Sequence, residues 1–381
     1  MSAAASGRAR PRARDLGIEI GDGEPGPLNA ITDVPGVTVG HVTLVEGEGP
    51  LRVGTGPVRT GVTVVVPCGD VGRQLVFAGC HRLNGNGELT GLEWVRESGM
   101  LTSPVASTNT HSVGVVRDAL VAADVRSRPA GGVAWSLPVV GETWDGVLND
   151  VDGQHVRAEH LWAALETASG GPVGEGNVGG GTGMVCHQFK GGIGTSSRKA
   201  GPPGCPFVVG ALVQANYGSR RRLRVDGVPV GREIPGEEVP VPSLPVPPGA
   251  GSIIVVVATD APLLPHQCER LAQRAGMAIG RVGGVGDNSS GDLFLAFATG
   301  NSTRPVPDPP TSAEPAVRTV TMLSDGVISS LFEATVDATE EAIVNALVAA
   351  ETMTGRDGIT AYALPHERLQ ECMERRPRPR R

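Results

Sequence analysis

Short apolar runs bounded by glycine or proline dominate the first half of the chain. Three of them are rich in β-branched residues and predict strands: 62–67 (VTVVVP), 113–116 (VGVV) and 207–215 (FVVGALVQA). The segment 160–168 instead carries apolar residues at helical spacing, which predicts a helix. Strands and helices are mixed along the chain, and this mixture is typical of an α/β or α+β protein.

Longer apolar elements follow in the second half. The run 253–258 (IIVVVA) shows no alternation, which is typical of a strand covered on both faces, and 293–298 (LFLAFA) has the same character. Pro265 can open a helix, because apolar residues follow it at helical spacing. A further helix is predicted at 340–353, with Asp337 as its N-cap.

Three segments differ in composition from the rest of the chain. Residues 1–15 carry four arginines and no apolar stretch, so we expect a disordered tail rather than a secretory signal. Residues 225–251 contain seven prolines and several glutamates, which predict an exposed, extended linker. Residues 371–381 are expected to form a second, basic tail.

The overall composition excludes several classes of protein. Charged residues make up 19% of the chain and its net charge is −7, which argues against a general nucleic-acid-binding surface. No apolar run approaches the roughly 18 residues of a membrane span, so we expect no membrane insertion and a cytoplasmic location. The cysteines contain no C-x-x-C pair and predict reduced, buried thiols rather than disulfides or a zinc site: Cys68, Cys80, Cys186, Cys205, Cys268 and Cys372.

Familiar catalytic and cofactor motifs are incomplete in this sequence. G-x-G-x-x-G occurs at 21–26 and 174–179, but neither copy has the strand and helix that dinucleotide binding requires. Ser196-x-x-Lys199 lacks the partner motifs of the penicillin-recognising serine enzymes. The histidines form no H-E-x-x-H and do not pair with cysteines. These patterns therefore give little support to a metal or a dinucleotide.

A serine stands between the proline-rich segment and the buried strand, in PGAGSIIVVVATD (248–260). Such a serine is usually only the end of a linker, but Gly251 before it can adopt backbone angles that other residues avoid. If the Gly251–Ser252 bond were cut, the strand would hold Ser252 rigidly as a new N-terminus. Its α-amine has an ordinary pKa of about 7.7–8.0, so one residue would supply both nucleophile and base. Cleavage could follow attack of the Ser252 hydroxyl on the Gly251 carbonyl, through an ester that water opens.

Several long motifs, arranged in order, resemble one family of enzymes. The segment GAGSIIVVVATDAPL is similar to the maturation site of the L-aminopeptidase/D-esterase family, which includes the β-peptidyl aminopeptidases. The resemblance runs from about residue 14 to residue 370. It also rests on PLNAITDVPGVTVGH (27–41), NGNGELTG (84–91), TNTHSVGVVRDA (108–119), GNVGGGTGMVCHQFKGGIGTSSR (176–198), VQANYG (213–218), SGDLFLAF (290–297) and ETMTGRDG (351–358).

This resemblance implies a precursor that cuts itself into a larger chain, 16–251, and a smaller chain, 252–370. It implies a four-layer α/β/β/α sandwich, like that of the N-terminal-nucleophile hydrolases but with different connectivity. It also implies a tetramer of cleaved pairs and no metal or organic cofactor. The implied reaction is the removal of N-terminal amino acids from short peptides, amides or esters.

The resemblance assigns roles to individual residues. Ser252 matches the nucleophile, and Ser290 and Asp292 match the Ser-Gly-acid of the family. Ser290 would orient the nucleophile, whereas Asp292 would hold the α-amine or Ser290 by a charge-assisted hydrogen bond. Asn216 matches the side-chain donor of an oxyanion hole, and one such donor is typically worth ~2.7–4 kcal/mol in the transition state. Considered alone, Asn216 could also be a turn residue.

Two further residues concern the substrate. Glu142, in GETWDGVLND, matches the carboxylate that binds the free amine of the substrate, although an acid here could also be a solvated surface residue. At Trp144 some members of the family carry a tyrosine whose hydroxyl helps to bind the oxyanion. The indole is larger and can only donate. Either its N–H takes over this role, or Asn216 acts with backbone N–H groups in a reshaped pocket.

Two other functions remain as alternatives. The ornithine acetyltransferases share the fold type and the self-cleavage but use threonine at the cut, so Ser252 disfavours acyl transfer. An uncleaved binding scaffold, with the glycine-rich loops holding a ligand, would leave the precursor intact. The sequence does not decide whether L-α-, D- or β-amino acids are preferred.

Overall fold

The computed structural model describes residues 10–375, except 70, 72–73, 129–134, 203, 205, 244–248, 303–316 and 318. Its strands are β1 (Thr38–Glu46), β2 (Val58–Val66), β3 (Phe77–Gly85), β4 (Val105–Asn109), β5 (Val139–Thr143), β6 (Val185–Cys186), β7 (Phe189–Lys190), β8 (Gly192–Ala200), β9 (Phe207–Gly218), β10 (Gly249–Thr259), β11 (Ser290–Ala298), β12 (Met353–Thr354) and β13 (Thr360–Ala361). Its helices are α1 (Leu92–Ser98), α2 (Val113–Ser127), α3 (Ala158–Glu166), α4 (Val230–Glu233), α5 (Pro265–Val282), α6 (Ile328–Val348) and α7 (His366–Glu374).

Two larger sheets form the centre of the molecule. The first has the order β1-β2-β4-β5, in which only β4 and β5 are parallel. The second has the order β3-β11-β10-β9-β8, in which only β11 and β10 are parallel. Two short ladders, β6-β7 and β12-β13, lie outside these sheets.

Helices cover the outer face of each sheet. Residues of α2 and α3 share a buried cluster with Val62 and Val64 of the first sheet. Residues of α5 and α6 share a second cluster with β9, β10 and β11. The inner faces of the two sheets meet in a third cluster that includes Val65, Val105 and Ile254. The layers therefore run helix, sheet, sheet, helix, which confirms the expected α/β/β/α sandwich.

Strand β10 shows why the run 253–258 lacks alternation. Ile253 and Val255 belong to the cluster with α5 and α6, whereas Ile254 and Val256 belong to the cluster between the sheets. Both faces are buried, as the apolar run predicts. Since burying one such side chain contributes roughly 1.5–3 kcal/mol, the strand is firmly anchored directly after Ser252.

The other strand and helix predictions have mixed outcomes. The runs 62–67, 207–215 and 293–298 overlap β2, β9 and β11, and α3 and α5 form where helices were expected. The run 113–116, however, is the first turn of α2 and not a strand. Its local β-branched character is misleading, because the buried residues recur at helical spacing only over a longer window that reaches Leu120.

The helix expected at 340–353 is misplaced. Helix α6 begins at Ile328 and ends at Val348, and Asp337 lies inside it rather than at its N-cap. The Asp337 carboxylate instead pairs with Arg281, at 2.8 Å. Nearly every residue from Ala334 onward is buried, so packing on several sides sets the extent of this helix and leaves no polar face to mark it.

The expected N-terminal tail is wrong from residue 10 onward. Ala13 is fully buried, Arg12 pairs with Glu175 at 2.6 Å, and Arg14 pairs with Glu341 at 3.1 Å. The arginines that suggested a solvated tail are therefore partners of buried carboxylates. Residues 1–9 lie outside the described residues.

The expected linker and C-terminal tail are also partly wrong. Val230, Ile234 and Val239 of the 225–251 segment are buried in the cluster with α5 and α6, so the prolines interrupt a packed segment rather than an exposed one. Residues 244–248 lie outside the described residues. At the other end, α7 extends to Glu374 and buries Cys372, which contradicts a tail that begins at 371. Residues 376–381 are not described.

The described thiols agree with the sequence. Cys80, Cys186, Cys268 and Cys372 are buried and unbridged, whereas Cys205 falls outside the described positions. Over the described part of the chain, no helix combines the length and the apolar character that crossing a bilayer demands.

Candidate active site

Ser252 lies near the start of β10, between two strands that carry other candidate residues. It pairs with Asn216 in the antiparallel ladder to β9. In the parallel ladder to β11 it pairs with Gly291, which separates Ser290 from Asp292. The fold therefore brings all four candidate catalytic residues to one end of the second sheet, and Ser252 is only 4% exposed there.

Gly251 occupies a position that requires glycine. Its φ is 154°, and the ladder to β9 is interrupted between Gly249 and Ser252. A Cβ at Gly251 would lie 2.0 Å from the carbonyl oxygen of Asn216 and 2.8 Å from the Cα of Tyr217. Backbone atoms cannot turn aside as a side chain can, so a larger residue would displace the peptide bond before Ser252.

The Ser252 hydroxyl contacts the peptide bond that it would cut. Its Oγ donates a hydrogen bond to the carbonyl oxygen of Gly251, with 2.7 Å between the two oxygens. The intact chain thus holds the hydroxyl in hydrogen-bond contact with the carbonyl group that it would attack.

Ser290 and Asp292 form a hydrogen-bonded pair, with 2.7 Å between Ser290 Oγ and Asp292 Oδ1. Because side chains alternate along a strand, Asp292 shares the face of Phe294, which packs on the helices, whereas Ser252 shares the face of Ile254, between the sheets. The pair is therefore better placed to act on the backbone nitrogen of Ser252 than on its hydroxyl. Burial raises the pKa of Asp292 to about 6, against the opposing effect of the bond from Ser290.

Asn216 is a strand residue, so its interpretation as a turn residue is wrong. Its Oδ1 accepts a hydrogen bond from Val185 N–H at 2.8 Å, and its Nδ2 donates to the carbonyl oxygen of Trp144 at 2.9 Å. Since an N–H can only donate, Val185 fixes which end of the amide is oxygen. The second hydrogen on Nδ2 has no acceptor among the described residues, so one donor remains for an oxyanion.

Glu142 is 3% exposed, so its interpretation as a solvated surface acid is wrong. One carboxylate oxygen accepts from the N–H of Glu88 at 3.0 Å, and the other accepts from the hydroxyl of Thr110. Burial raises the pKa of Glu142, while both hydrogen bonds oppose this rise. These two donors hold the carboxylate in one orientation and leave it further lone pairs for a substrate ammonium.

Gly87 lies between Glu142 and Gly291, the ladder partner of Ser252. A Cβ on Gly87 would lie 3.0 Å from Glu142 Oε1 and 3.1 Å from the Cα of Gly291, which is the ladder partner of Ser252. A substrate whose ammonium binds Glu142 would therefore approach Ser252 from the side on which its hydroxyl lies.

Trp144 contributes its backbone to the site as well as its ring. Its carbonyl oxygen orients Asn216, as described above. The half-buried indole packs against Gly146, where a Cβ would lie 2.9 Å from the indole nitrogen. Within the described residues that N–H makes no hydrogen bond, and its use for an oxyanion stays a prediction.

Comparison with known proteins decides the family. The model described as "Peptidase family S58" matches residues 29–361, which is most of the chain. This chain belongs to peptidase family S58. Over 98% of its length it is 50% identical to the "Beta-peptidyl aminopeptidase BapA" of Sphingosinicella microcystinivorans, and the match covers 95% of that protein.

Solved structures of other proteins share the fold of this S58 chain. A β-aminopeptidase from Burkholderia sp. is similar at a TM-score of 0.88 and 54% identity, over 97% of this chain and 100% of that one. The L-aminopeptidase D-Ala-esterase/amidase of Ochrobactrum anthropi is similar at a TM-score of 0.84 and 42% identity, over 96% and 98%. The latter is described as a prototype of the serine aminopeptidases and a new variant of the Ntn hydrolase fold. The S58 chain is thus an aminopeptidase with this N-terminal-nucleophile fold, as the sequence predicts.

Sequence reasoning missed several polar residues of this S58 site. Lys190 and Asp145 are fully buried near Asn216, and Thr110 holds Glu142. Burial raises the pKa of Asp145 to about 7, and one of its oxygens has no hydrogen-bond partner among the described residues. For Lys190 and Asp145 the available signal was a charged residue inside an otherwise apolar or glycine-rich motif, and such a residue cannot be distinguished from a surface charge by sequence alone. Thr110 gave no such signal.

Proposed function

We propose that this S58 aminopeptidase matures by cutting its own Gly251–Ser252 bond and then uses Ser252 as an N-terminal nucleophile. The observation that carries the proposal is the 2.7 Å contact between the Ser252 hydroxyl and the carbonyl oxygen of Gly251. The steric constraint at Gly251 supports it, because the close approach of Asn216 holds this peptide bond in one place.

Maturation would proceed by an N-to-O acyl shift. Ser252 Oγ attacks the carbonyl carbon of Gly251, the bond from that carbon to the Ser252 nitrogen breaks, and the hydroxyl proton passes to the departing nitrogen. The product is an ester between Gly251 and Ser252 Oγ. Water then cleaves this ester, which leaves a carboxylate on Gly251 and both a hydroxyl and an α-amine on Ser252.

Turnover would repeat these steps on a substrate. The Ser252 α-amine accepts the hydroxyl proton while Oγ attacks the substrate carbonyl, and it then protonates the leaving amine or alcohol. The free N–H of Asn216 stabilises the oxyanion. The Ser290–Asp292 pair holds the α-amine in place. Water releases the amino acid from the acyl-enzyme and regenerates the Ser252 hydroxyl.

The substrates we propose are short peptides, amides or esters with a free N-terminal amine. Glu142 supports this, because a buried carboxylate fixed by two donors suits an ammonium group. The relatives named beta-peptidyl aminopeptidase and beta-aminopeptidase support acceptance of N-terminal β-amino acids. A panel of L-α-, D- and β-aminoacyl anilides would test this, and turnover of N-acetylated anilides at equal rates would contradict the role of Glu142.

The proposal extends to assembly and location. Leu83, Met277 and Val285 are exposed apolar side chains, and Leu83 lies 3.9 Å from a Cβ added at Gly276 or at Gly286, so the three lie close together. Such a patch supports a homo-oligomer, such as a tetramer of cleaved pairs, because contiguous exposed apolar surface often marks an interface. Light scattering on the purified protein would test the oligomer. We also propose a cytoplasmic location, which cell fractionation would test.

A denaturing gel with mass analysis tests the proposed maturation. Two fragments, the smaller beginning at Ser252, are expected from the wild type, and Ser252→Ala should give one uncut, inactive chain. Ser289→Ala is the matched control, because this nearby hydroxyl makes no hydrogen bond to the described residues. An uncut wild type that turns over no aminoacyl anilide would refute the proposal, and an active Ser252→Ala would refute the choice of nucleophile.

Acyl transfer remains the alternative reaction on this fold type. The match to a peptidase family and to aminopeptidases favours hydrolysis. Transfer of an acetyl group from acetyl-ornithine to glutamate at a rate above hydrolysis would reverse this preference.

A further inference from the structure

Lys190 is a charged side chain buried in the core close to the site. It is 0% exposed and lies on β7. Its Nζ donates to the carbonyl oxygens of Met184 and Gly191, both at 2.8 Å, and to that of Gly181 at 3.3 Å. The three bonds use the whole donor capacity of an ammonium group. Among the described residues Nζ makes no ion pair, so its hydrogen bonds all go to backbone carbonyl oxygens.

Burying a cation that has no ion-pair partner costs free energy of folding. Burial lowers the pKa of Lys190 to about 7, and the charge of Arg10 adds to this effect, whereas Cys186 and Asp145 oppose it. A methionine would fill much of the same volume without this cost. A role for the lysine is therefore to be sought in the three carbonyl groups that it binds.

One of these carbonyls belongs to the peptide group that orients Asn216. The carbonyl oxygen of Met184 and the N–H of Val185 are the two ends of a single peptide bond. Lys190 binds the oxygen end at 2.8 Å, beside the N–H of Gly191, which donates to the same oxygen at 2.9 Å. Asn216 Oδ1 accepts from the nitrogen end at 2.8 Å. The ladder that pairs Val185 with Lys190 holds the two residues side by side. A chain of two hydrogen bonds through one rigid peptide plane thus joins the ammonium to the amide.

We propose that Lys190 is a positioning residue for the aminopeptidase reaction, because it holds the 184–185 peptide plane together with Gly191 N–H and so supports one of the two contacts that orient the Asn216 amide. This inference rests on the oxyanion role proposed for Asn216. It adds a residue that does not touch the substrate but acts on it through Asn216, whose other orienting contact is the Trp144 carbonyl.

Two physical effects make this arrangement useful for catalysis. The cation on the Met184 carbonyl polarises the peptide group, so Val185 N–H becomes a stronger donor to Asn216. A fixed peptide plane also keeps Val185 N–H against Asn216 Oδ1, and together with the Trp144 carbonyl this opposes a flip of the amide. A flipped amide would present its oxygen to the developing oxyanion, and two negative oxygens would repel each other where a donor is needed.

Lys190→Met tests the inference in a double-mutant cycle with Asn216→Ala. Rates are expressed per cleaved chain, measured on a denaturing gel, so that slow maturation does not enter the values. Lys190→Met alone should lower kcat about tenfold or more, whereas KM should change less than about twofold because Glu142 is untouched. In the Asn216→Ala background the same substitution should change kcat less than about twofold, since the group it acts through is gone.

Two further variants keep the result interpretable. Phe189→Leu, at the neighbouring position of the same strand, alters packing without touching the 184–185 peptide and should keep kcat. Lys190→Gln retains a donor and should lose less activity than Lys190→Met. It also supplies the comparison if Lys190→Met does not fold. A folded Lys190→Met with wild-type kcat, or an equal loss with and without Asn216, would overturn the inference while the wild type stays active. An uncut, inactive wild type would instead overturn the proposed function, and with it this role of Lys190.

Discussion

Replacing Gly251 by alanine should separate maturation from turnover. The added Cβ would lie 2.0 Å from the carbonyl oxygen of Asn216, whereas carbon–oxygen contacts of this kind need about 3.5 Å. The two strands must therefore move apart by roughly 1.5 Å, because the opposing atoms belong to the backbone. The φ of 154° adds strain of about 1–3 kcal/mol for a residue with a side chain.

This displacement would shift the Gly251–Ser252 peptide bond, which is the bond to be cut. The Ser252 hydroxyl now contacts that carbonyl at 2.7 Å, and a misplacement of about 1 Å can cost on the order of 10²-fold in rate. We therefore expect Gly251→Ala to slow self-cleavage at least about 10²-fold. After cleavage residue 251 is no longer bonded to Ser252, so kcat per cleaved chain should remain close to the wild-type value.

A time course of the purified precursor on a denaturing gel measures the first rate, and an aminoacyl anilide assay normalised to the cleaved fraction measures the second. Gly227→Ala is the matched control, since Gly227 has a φ of 77° but no atom within 4 Å of an added Cβ. It introduces strain without a clash and should leave cleavage unchanged. Wild-type cleavage by Gly251→Ala would show that the close contact with Asn216 does not position the scissile bond.

Four further predictions concern the substrate, the proton balance and the oxyanion. Glu142→Gln should raise KM about 10–100-fold with a small change in kcat, because a hydrogen bond to a charged group is worth about 1.5–3 kcal/mol; equal losses for acetylated and free-amine substrates would contradict this. Lowering the pH below about 8 should reduce kcat in a pH–rate profile, because the Ser252 α-amine, with an ordinary pKa of about 7.7–8.0, accepts the hydroxyl proton only while it is neutral. Asp292→Asn should lower kcat, because it removes the carboxylate that holds this amine. In the uncut Ser252→Ala chain, where burial raises the pKa of Asp292 to about 6, Asp292→Asn should raise the melting temperature at pH 7, since ionising a group whose folded-state pKa is raised costs stability. Trp144→Phe should change kcat less than about threefold, because the carbonyl and not the ring orients Asn216; a larger loss in steady-state kinetics would assign the indole N–H to the oxyanion.

The sequence predicts the second sheet well where its strands carry their own signal. The runs in β10 and β11 are apolar without alternation because both faces are covered, and that property depends only on local composition. The ends of helix α6, by contrast, are not predictable from local composition. It is buried on nearly every side, so neither a polar face nor a cap marks its ends, and the contacts that fix them are distant in sequence.

The candidate site was predictable only as far as motifs identify residue types. Ser252, Ser290, Asp292, Asn216 and Glu142 all follow from the resemblance, but their geometry does not. Ser290 and Asp292 lie on the opposite face from the Ser252 hydroxyl, and this arrangement depends on the register between β10 and β11. The link from Lys190 to Asn216 passes through a backbone peptide, and backbone hydrogen bonds leave no trace in residue identity.

The proposed cut divides a strand and not two domains. Strands β3 and β9 come from the part before Gly251 and flank β11 and β10 from the part after it, and β8 pairs with the outer side of β9. The ion pair between Arg14 and Glu341 also crosses this boundary. Hydrolysis of one bond would therefore leave the sheet ladders and the buried clusters in place, and the two chains should remain associated without a covalent link. A nucleophile at a free N-terminus needs this arrangement, because only a strand held by neighbours on both sides can keep Ser252 fixed once the preceding segment is released.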